Sequence, residues 1–385
     1  MKTKIKVLFS QAVEKLAGSE RYMVFLLPKL KEQGVEAEFV GVVRKEDTQK
    51  AEIFLKMLED EGVRVHRIFI SKSYISPKIF LEINKIYKSG NFNCFHSQLI
   101  YADFWGSIIK RFLNPKMKIF STKHGYHIDT YQEFCLKPEQ TPKNKYYRIF
   151  KIAESNMDKS FACSNGLNEF HEKAGLVKKG QMDVIEHGFN YPPSPSLDDQ
   201  FKLGEQQLII VGRLIELKGH DFLLNILPDI RKQYPKIVLV CLGIGPQETH
   251  LKNRIKNEGL EKNVLLLGFK KNIMDYMRNS DIVLVPSYTE SMPVVILEGF
   301  NSKRPVIAFN TIGCRDIIDH NETGILIPAY DEEILKQNIL DLLKNPDKAN
   351  LLAQNAYNKL KSNYSLERMT KETISFYKKY LSSDD

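Results

Sequence analysis

The segment Ile282-Val283-Leu284-Val285-Pro286-Ser287-Tyr288-Thr289-Glu290-Ser291-Met292-Pro293-Val294-Val295-Ile296-Leu297-Glu298 reads as strand, loop and helix in immediate succession. The apolar run at 281–286 has the length and β-branched content of a buried strand and stops at Pro286. Polar residues follow. Pro293 suits the first turn of a helix with its body at 294–301, because a proline there gives up an amide that has no helical partner anyway. A strand, a loop and a helix in that order form the repeating unit of α/β domains with parallel sheets.

The same alternation runs outward in both directions. Strands are expected at 208–212, 237–242 and 264–267 before this segment, and at 305–309 and 324–327 after it. The first half gives strands at 5–10, 37–43, 63–70, 94–97, 118–123, 160–164 and 183–187, separated by helical patterns that include 20–33, 49–61, 77–88 and 101–112. Helices at 331–344, 346–362 and 366–381 close the chain, the last with Ser365 as its N-cap. The expected fold class is therefore α/β, with two Rossmann-like doubly wound domains. The first covers 1–188; a Pro/Ser-rich linker follows at 189–206; the second covers 207–364; and 365–385 is a final helix expected to pack back on the first domain. Ligands of such sheets bind beyond the carboxyl ends of the strands, so two facing domains would make a cleft.

Composition narrows the class. At 385 residues, 43% hydrophobic and 27% charged, the chain is a globular protein and not a disordered, collagenous or disulfide-built one. Its five cysteines are odd in number and widely separated, the pattern of buried thiols in a reducing cytosol. No Cys-x-x-Cys or His-x-x-x-His spacing occurs, so no structural zinc is expected. The basic N-terminus precedes an apolar run too short for a signal peptide, and no stretch approaches the ~18 apolar residues that span a bilayer. The formal charge is +9. Residues 1–190 hold 31 of the 56 Lys and Arg but only 22 of the 47 Asp and Glu, so the whole excess lies there. A field so one-sided fits an anionic partner such as a membrane surface, a nucleic acid or a phosphorylated substrate; it also fits a charge that serves only solubility.

Three places carry chemistry. In the opening segment, the first amides of the helix (Met292, Val294, Val295) point beyond the strand end, where they can bind phosphate or sugar oxygens. Glu290 precedes the helix and Glu298 lies about 7 Å further along its axis. The two carboxylates can bond hydroxyls at two places on an elongated ligand, act as an acid and base pair, or simply be solvated charges at a helix start. Second, Gly212 ends a strand, and the loop after it carries Arg213 and Lys218 into a helix starting near Gly219. Arg offers phosphate a fork of donors and Lys a mobile point charge, which is what a diphosphate needs when no metal is present. No Asp-x-Asp occurs to hold a divalent ion. Gly243-Ile244-Gly245-Pro246 reads as a tight turn near the same ligand. Third, in the first half, Ala17-Gly18-Ser19-Glu20 opens a helix, with Gly18 allowing close backbone approach and Ser19 as cap. His124 stands at the carboxyl end of a strand, placed to donate to a sugar hydroxyl or move a proton, with His127 as a competitor and a purely structural role as the alternative.

With these residues in view, the chain resembles the retaining glycosyltransferases of family 4 (glycosyl transferases group 1), which have the GT-B fold. The resemblance covers essentially the whole chain. Its most specific part is the Glu-x7-Glu spacing from Glu290 to Glu298, with support from Gly212-Arg213, Lys218-Gly219, Gly243-x-Gly245-Pro246, Gly268-Phe269 and the run from Gly313 through Thr323-Gly324 to Pro328. It implies that Arg213 and Lys218 bind the diphosphate of a nucleotide-sugar donor, most often UDP in this family. Glu298 would hold the ribose, Glu290 and the amides after it the transferred sugar, and the segment around Phe269 would flank the base. His124 falls where the family places a histidine near the sugar. Gly18 matches the second glycine of the family's N-terminal Gly-Gly loop, where Ala17 replaces the first. No metal or other cofactor is implied. The implied acceptor is a saccharide or a lipid-diphosphate-linked one, used in building cell-surface polysaccharide.

Two rival readings make distinct demands. A non-hydrolysing nucleotide-sugar epimerase of the same fold needs no second substrate. A nucleic-acid-binding protein would interleave aromatic and basic residues in a recognised module, and none is evident, so nucleic acid is not an expected partner. The stretch from Lys143 to Ile152, Lys-Asn-Lys-Tyr-Tyr-Arg-Ile-Phe-Lys-Ile, suits the headgroup zone of an anionic membrane as a helix; as an ordinary surface helix it would instead put Ile149 and Ile152 in the core. The expected location is the cytoplasm, with peripheral attachment to the inner face of the cell membrane.

Overall fold

The computed structural model describes residues 4–16, 18–71, 73–125, 138–194 and 196–382. Ala17, His127 and Cys135 lie outside them. The described chain forms two compact units. One contains residues up to Asn190 together with those from Tyr364 onward; the other contains Tyr191–Asn363.

The first unit is built on a seven-stranded sheet, β1 Lys6–Val13, β2 Glu36–Arg44, β3 Arg64–Ile70, β4 Cys94–Gln98, β5 Lys118–Lys123, β6 Lys159–Ala162 and β7 Met182–Val184. Its spatial order is β3-β2-β1-β4-β5-β6-β7, and every pairing is parallel. Both faces are covered, as a parallel sheet requires. Along β1, Val7 and Phe9 enter one apolar core while Leu8 enters the other, on the opposite face of the pleat.

The second unit has six parallel strands, β8 Gln207–Val211, β9 Val238–Leu242, β10 Val264–Leu266, β11 Ile282–Val285, β12 Val306–Phe309 and β13 Ile325–Ile327, in the order β10-β9-β8-β11-β12-β13. The α/β fold class read from the sequence is observed, with all thirteen expected strands present and their ends displaced by at most three residues.

The helix Leu366–Leu381 belongs to the first unit. Ser365 caps it by accepting from the amide of Arg368. Phe376 packs edge-on against Phe120 and Phe161, each at 5.1 Å between ring centroids. The Tyr377 hydroxyl lies 2.6 Å from His96 Nδ1, and Tyr380 donates to Asp183. A close backbone approach fixes where this helix begins: a Cβ on Gly188 would stand 2.1 Å from the Ser365 carbonyl oxygen.

Two local readings are corrected. Pro293 occupies the N-cap position of the helix Val294–Asn301, one residue before the first turn expected for it. Its carbonyl accepts from Ile296, which tightens the start of the helix. Ser19 does not cap its helix, which already begins at Gly18; its hydroxyl accepts from Gln11 and donates to Glu20.

Candidate functional site

In a doubly wound sheet, the strand order reverses at one point, and the loops that leave the strands there part to either side and open a crevice. In the second unit, the reversal lies between β8 and β11. The loops that follow these two strands carry Arg213, Lys218 and Glu290.

Glycines allow these loops to meet. A Cβ on Gly243, whose φ is +146°, would lie 1.8 Å from the Gly212 carbonyl oxygen, and one on Gly219, at φ +71°, would lie 1.9 Å from that of Pro286. The backbones are then laced together. Leu214 donates to the Ile244 carbonyl at 3.0 Å, Gln247 to Leu214 at 2.9 Å, Gly243 to Gly268 at 2.9 Å and Tyr288 to Leu217 at 2.9 Å. Gly245 sits against the Leu214 carbonyl, which a side chain would meet at 2.3 Å. The stem of Lys218 fills the space beside Gly212, where a Cβ would come within 3.3 Å of it.

Lys218 and Glu290 are brought together: Nζ donates to Oε1 at 2.5 Å, with the two side chains 22% and 13% exposed. Arg213 is exposed at the end of β8, and among the described residues its guanidinium has no ion-pair partner. The carbonyl of Glu290 accepts from the Gly313 amide at 2.8 Å, so the glutamate's backbone is held from behind. Behind the loop, the rings of Phe222, Tyr288 and Tyr330 pack on one another, with Tyr288 and Tyr330 at 4.9 Å. Met292 precedes the helix, and the helical ladder offers no acceptor for the amides of Val294 and Val295. Glu298 lies half-buried on the next turn, and Phe269, 61% exposed, follows the turn at Gly268. The site can bind an anion between a free guanidinium and an ammonium that is already oriented, with a carboxylate beside it to accept from hydroxyls.

In the first unit, the reversal lies between β1 and β4. Gly18 opens the helix Gly18–Glu32 just beyond β1. His124 follows β5, and its Nε2 lies 2.5 Å from Gln98 Oε1, an atom that only accepts, so Nε2 carries the proton. Its ring touches those of Tyr22 at 5.0 Å and His187 at 5.1 Å. Nδ1 is shut off from solvent and has no hydrogen-bond partner among the described residues. Burial pushes the imidazole down to about 3, so it is neutral at physiological pH. The sequence reading missed Gln98, Tyr22 and His187. Only Gln98 left a signal, as a polar residue closing an apolar strand.

Four described cysteines, Cys94, Cys163, Cys241 and Cys314, are buried free thiols. Among the described residues, no helix is long and apolar enough to cross a membrane.

Residues 198–359 match the family model Glycosyl transferases group 1. An uncharacterized glycosyltransferase of Haemophilus influenzae is 31% identical over 173 residues, 44% of this chain and 48% of that one. The amylovoran biosynthesis glycosyltransferase AmsK of Erwinia amylovora is 31% identical over 208 residues, 52% of this chain and 50% of that one. The aligned part thus spans about half the length of these relatives. HepE of Anabaena, solved in complex with UDP, superposes with a TM-score of 0.80 at 18% identity over 97% of this chain and 100% of that one. Sucrose-phosphate synthase of Thermosynechococcus elongatus gives 0.80 at 18% identity over 99% and 100%. At such identities the likeness speaks for the fold, which is GT-B.

Proposed function

We propose that this chain, which carries a glycosyl transferases group 1 domain over residues 198–359 within a GT-B fold, is a retaining hexosyltransferase. It moves a sugar from a nucleotide-diphosphate donor to a hydroxyl of a saccharide or lipid-diphosphate-linked acceptor in cell-surface polysaccharide synthesis. The observation that carries this reading is the convergence of Arg213, Lys218 and Glu290 at the reversal point of the second sheet. UDP is the proposed nucleotide, supported by the UDP and UDP-glucose complexes of HepE.

The proposed chemistry follows from the charges. As the bond from the sugar to the diphosphate lengthens, negative charge grows on the leaving group. Arg213, Lys218 and the helix start at Val294 and Val295 stabilise it, and this takes the place of a divalent ion. Glu290 accepts from hydroxyls of the transferred sugar and Glu298 from the ribose. Phe269 flanks the base. The acceptor hydroxyl attacks from the face the diphosphate leaves, so the anomeric configuration is kept. His124 is neutral and stands near the sugar without carrying charge, its single N–H donating to Gln98.

The proposed location is the cytoplasmic face of the membrane. Support comes from the helix Lys145–Glu154, where Ile152 is 50% exposed beside the exposed Arg148 and Lys151, while Phe150 is buried in the first unit. On the adjoining helix Leu99–Phe112, Phe112 is 68% exposed, with the Arg111 guanidinium 5.7 Å from its ring centroid.

A panel of nucleotide sugars, scored for release of nucleoside diphosphate with and without chelator, tests this reading. Release from one donor, undiminished by EDTA and yielding the same anomer by NMR, is the expected result. Epimerised nucleotide sugar as the sole product, or no turnover of any donor, would overturn it.

A further inference from the structure

Behind His124, a line of polar side chains crosses the first unit to its last helix. His124 Nε2 lies 2.5 Å from Gln98 Oε1, and Gln98 Nε2 donates to Thr122 Oγ1 at 3.3 Å. Thr122 Oγ1 lies 2.9 Å from His96 Nε2, and His96 Nδ1 lies 2.6 Å from the Tyr377 hydroxyl. Gln98, Thr122, His96 and Tyr377 are each 0% exposed, so the links are made by the protein and not through open solvent. The sheet register builds this line. His96 and Gln98 are two residues apart on β4 and so share a face, and Thr122 of β5 is the register partner of Gln98. The turn that ends β4 is unusual: Leu99, next to Gln98, has φ +66°, a conformation sparsely populated by leucine, and such outliers persist where surrounding structure holds them.

The line decides where the proton of His124 sits. Burial pushes the His124 and His96 rings down to about 3, so both are neutral at physiological pH and each carries a single N–H. The Gln98 amide has unlike ends: Oε1 only accepts and Nε2 only donates. With Oε1 towards His124, the imidazole proton is on Nε2 and Nδ1 is a bare lone pair. With the amide turned over, Gln98 would donate to His124, whose own proton would move to Nδ1. Nδ1 is buried with no hydrogen-bond partner among the described residues, and a buried N–H without an acceptor is rarer than a buried acceptor without a donor. Thr122 holds the first orientation by receiving the amide N–H. His96, itself backed by Tyr377, meets the threonine hydroxyl from the other side.

We propose that Gln98 and Thr122 are positioning residues that act through His124: together they choose which of its two nitrogens carries the proton, and so leave Nδ1 as an acceptor. Neither residue touches a ligand in this account. His124 then offers a lone pair and no proton to a hydroxyl that meets Nδ1. Its part in sugar transfer rests on the transferase reading above; the placing of its proton does not.

Protonated and bare ring nitrogens have well-separated 15N shifts, so the intact protein labelled with 15N-histidine reads the tautomer directly, with the His124 signals identified by their loss in His124→Asn. The wild type should carry the His124 proton on Nε2. Thr122→Val is close in shape but cannot receive the Gln98 amide; it should move at least half of the population to Nδ1, while Thr122→Ser keeps the wild-type pattern. Gln98→Leu, which removes the acceptor, should show both tautomers. A wild-type proton on Nδ1, or a Thr122→Val spectrum identical to the wild type, would overturn the proposal. In steady-state assays Thr122→Val should lower kcat at least fivefold with UDP affinity unchanged, and Thr122→Ser should restore most of it; undiminished kcat despite a displaced proton would remove Gln98 and Thr122 from the reaction. The two readings fail separately. A tautomer that depends on Thr122 in a protein that turns over no nucleotide sugar would sink the transferase and leave the positioning pair standing; turnover in a protein whose His124 tautomer ignores Thr122→Val would do the reverse.

Discussion

At the scale of residues, the donor site is a matter of charges held by backbone. Lys218 is oriented by Glu290, while Arg213 is unpaired among the described residues. Removing either cation should cut turnover by about 10²–10³-fold, the cost of losing one preorganised donor to a developing anion. The acceptor KM should hardly move in Lys218→Ala or Arg213→Ala. Steady-state kinetics with varied acceptor check this, and near-normal turnover in either variant would remove the diphosphate assignment. The strand ends that carry these residues were legible in the sequence, because a β-branched run that stops at Gly212 or Pro286 marks its own limit. The ion pair was not. Its partners are 72 positions apart, and nothing local in either loop announces that a glycine at 212 leaves room for the lysine stem. The surroundings of His124 were hidden for the same reason, since Tyr22, Gln98 and His187 come from three separate stretches of chain.

Among elements, the helix Lys145–Glu154 shows how composition divides over a cylinder. The sequence left open whether Ile149 and Ile152 face the core. The helix instead buries Phe150, Ala153 and Glu154, leaves Ile149 half-buried and exposes Ile152. Glu154 is buried because Lys123 lies 3.0 Å away, paired also with Asp103 at 2.7 Å. A buried ammonium can stay charged only with such partners. The outward side keeps Arg148, Lys151 and Ile152, which fits an anionic interface. Sedimentation with vesicles containing phosphatidylglycerol at low salt should carry the protein down, and the double substitution Arg148→Glu with Ile152→Asp should leave most of it in the supernatant. Equal sedimentation of the two proteins would remove this helix from the membrane contact.

For the molecule as a whole, the first unit carries a pH liability. Burial pushes His96 and His171 down to about 3 and His187 well below its usual value. In the unfolded chain these groups bind protons near pH 6.5, so between about pH 3 and 6.5 the unfolded state holds more protons than the folded one. Stability is then complete above pH 6.5 and falls as pH drops, by about 1.4 kcal/mol per pH unit for each such histidine once below that value. Carboxylates whose pKa is lowered, such as Asp221 with Arg254 and His250 beside it, add their loss only below about pH 4. Urea midpoints measured from pH 7.5 to 5 should therefore decline mainly below 6.5. A flat profile over that range would mean that these rings are not shielded from solvent.

The meeting of Gly188 and Phe189 with the start of the last helix also bears on how the chain is threaded. Phe189 donates to the Tyr364 carbonyl at 3.1 Å and bridges to Ser365, so the polypeptide leaves the first unit and re-enters it at neighbouring points. The second unit is thus, in genetic terms, an insertion between two neighbouring points of the first, an arrangement that domain insertion commonly produces. A gene that joins residue 190 to residue 364 through a short glycine-serine bridge should encode a single cooperative domain that melts on its own. If that shortened product stays unfolded by circular dichroism, the first unit depends on its guest for folding.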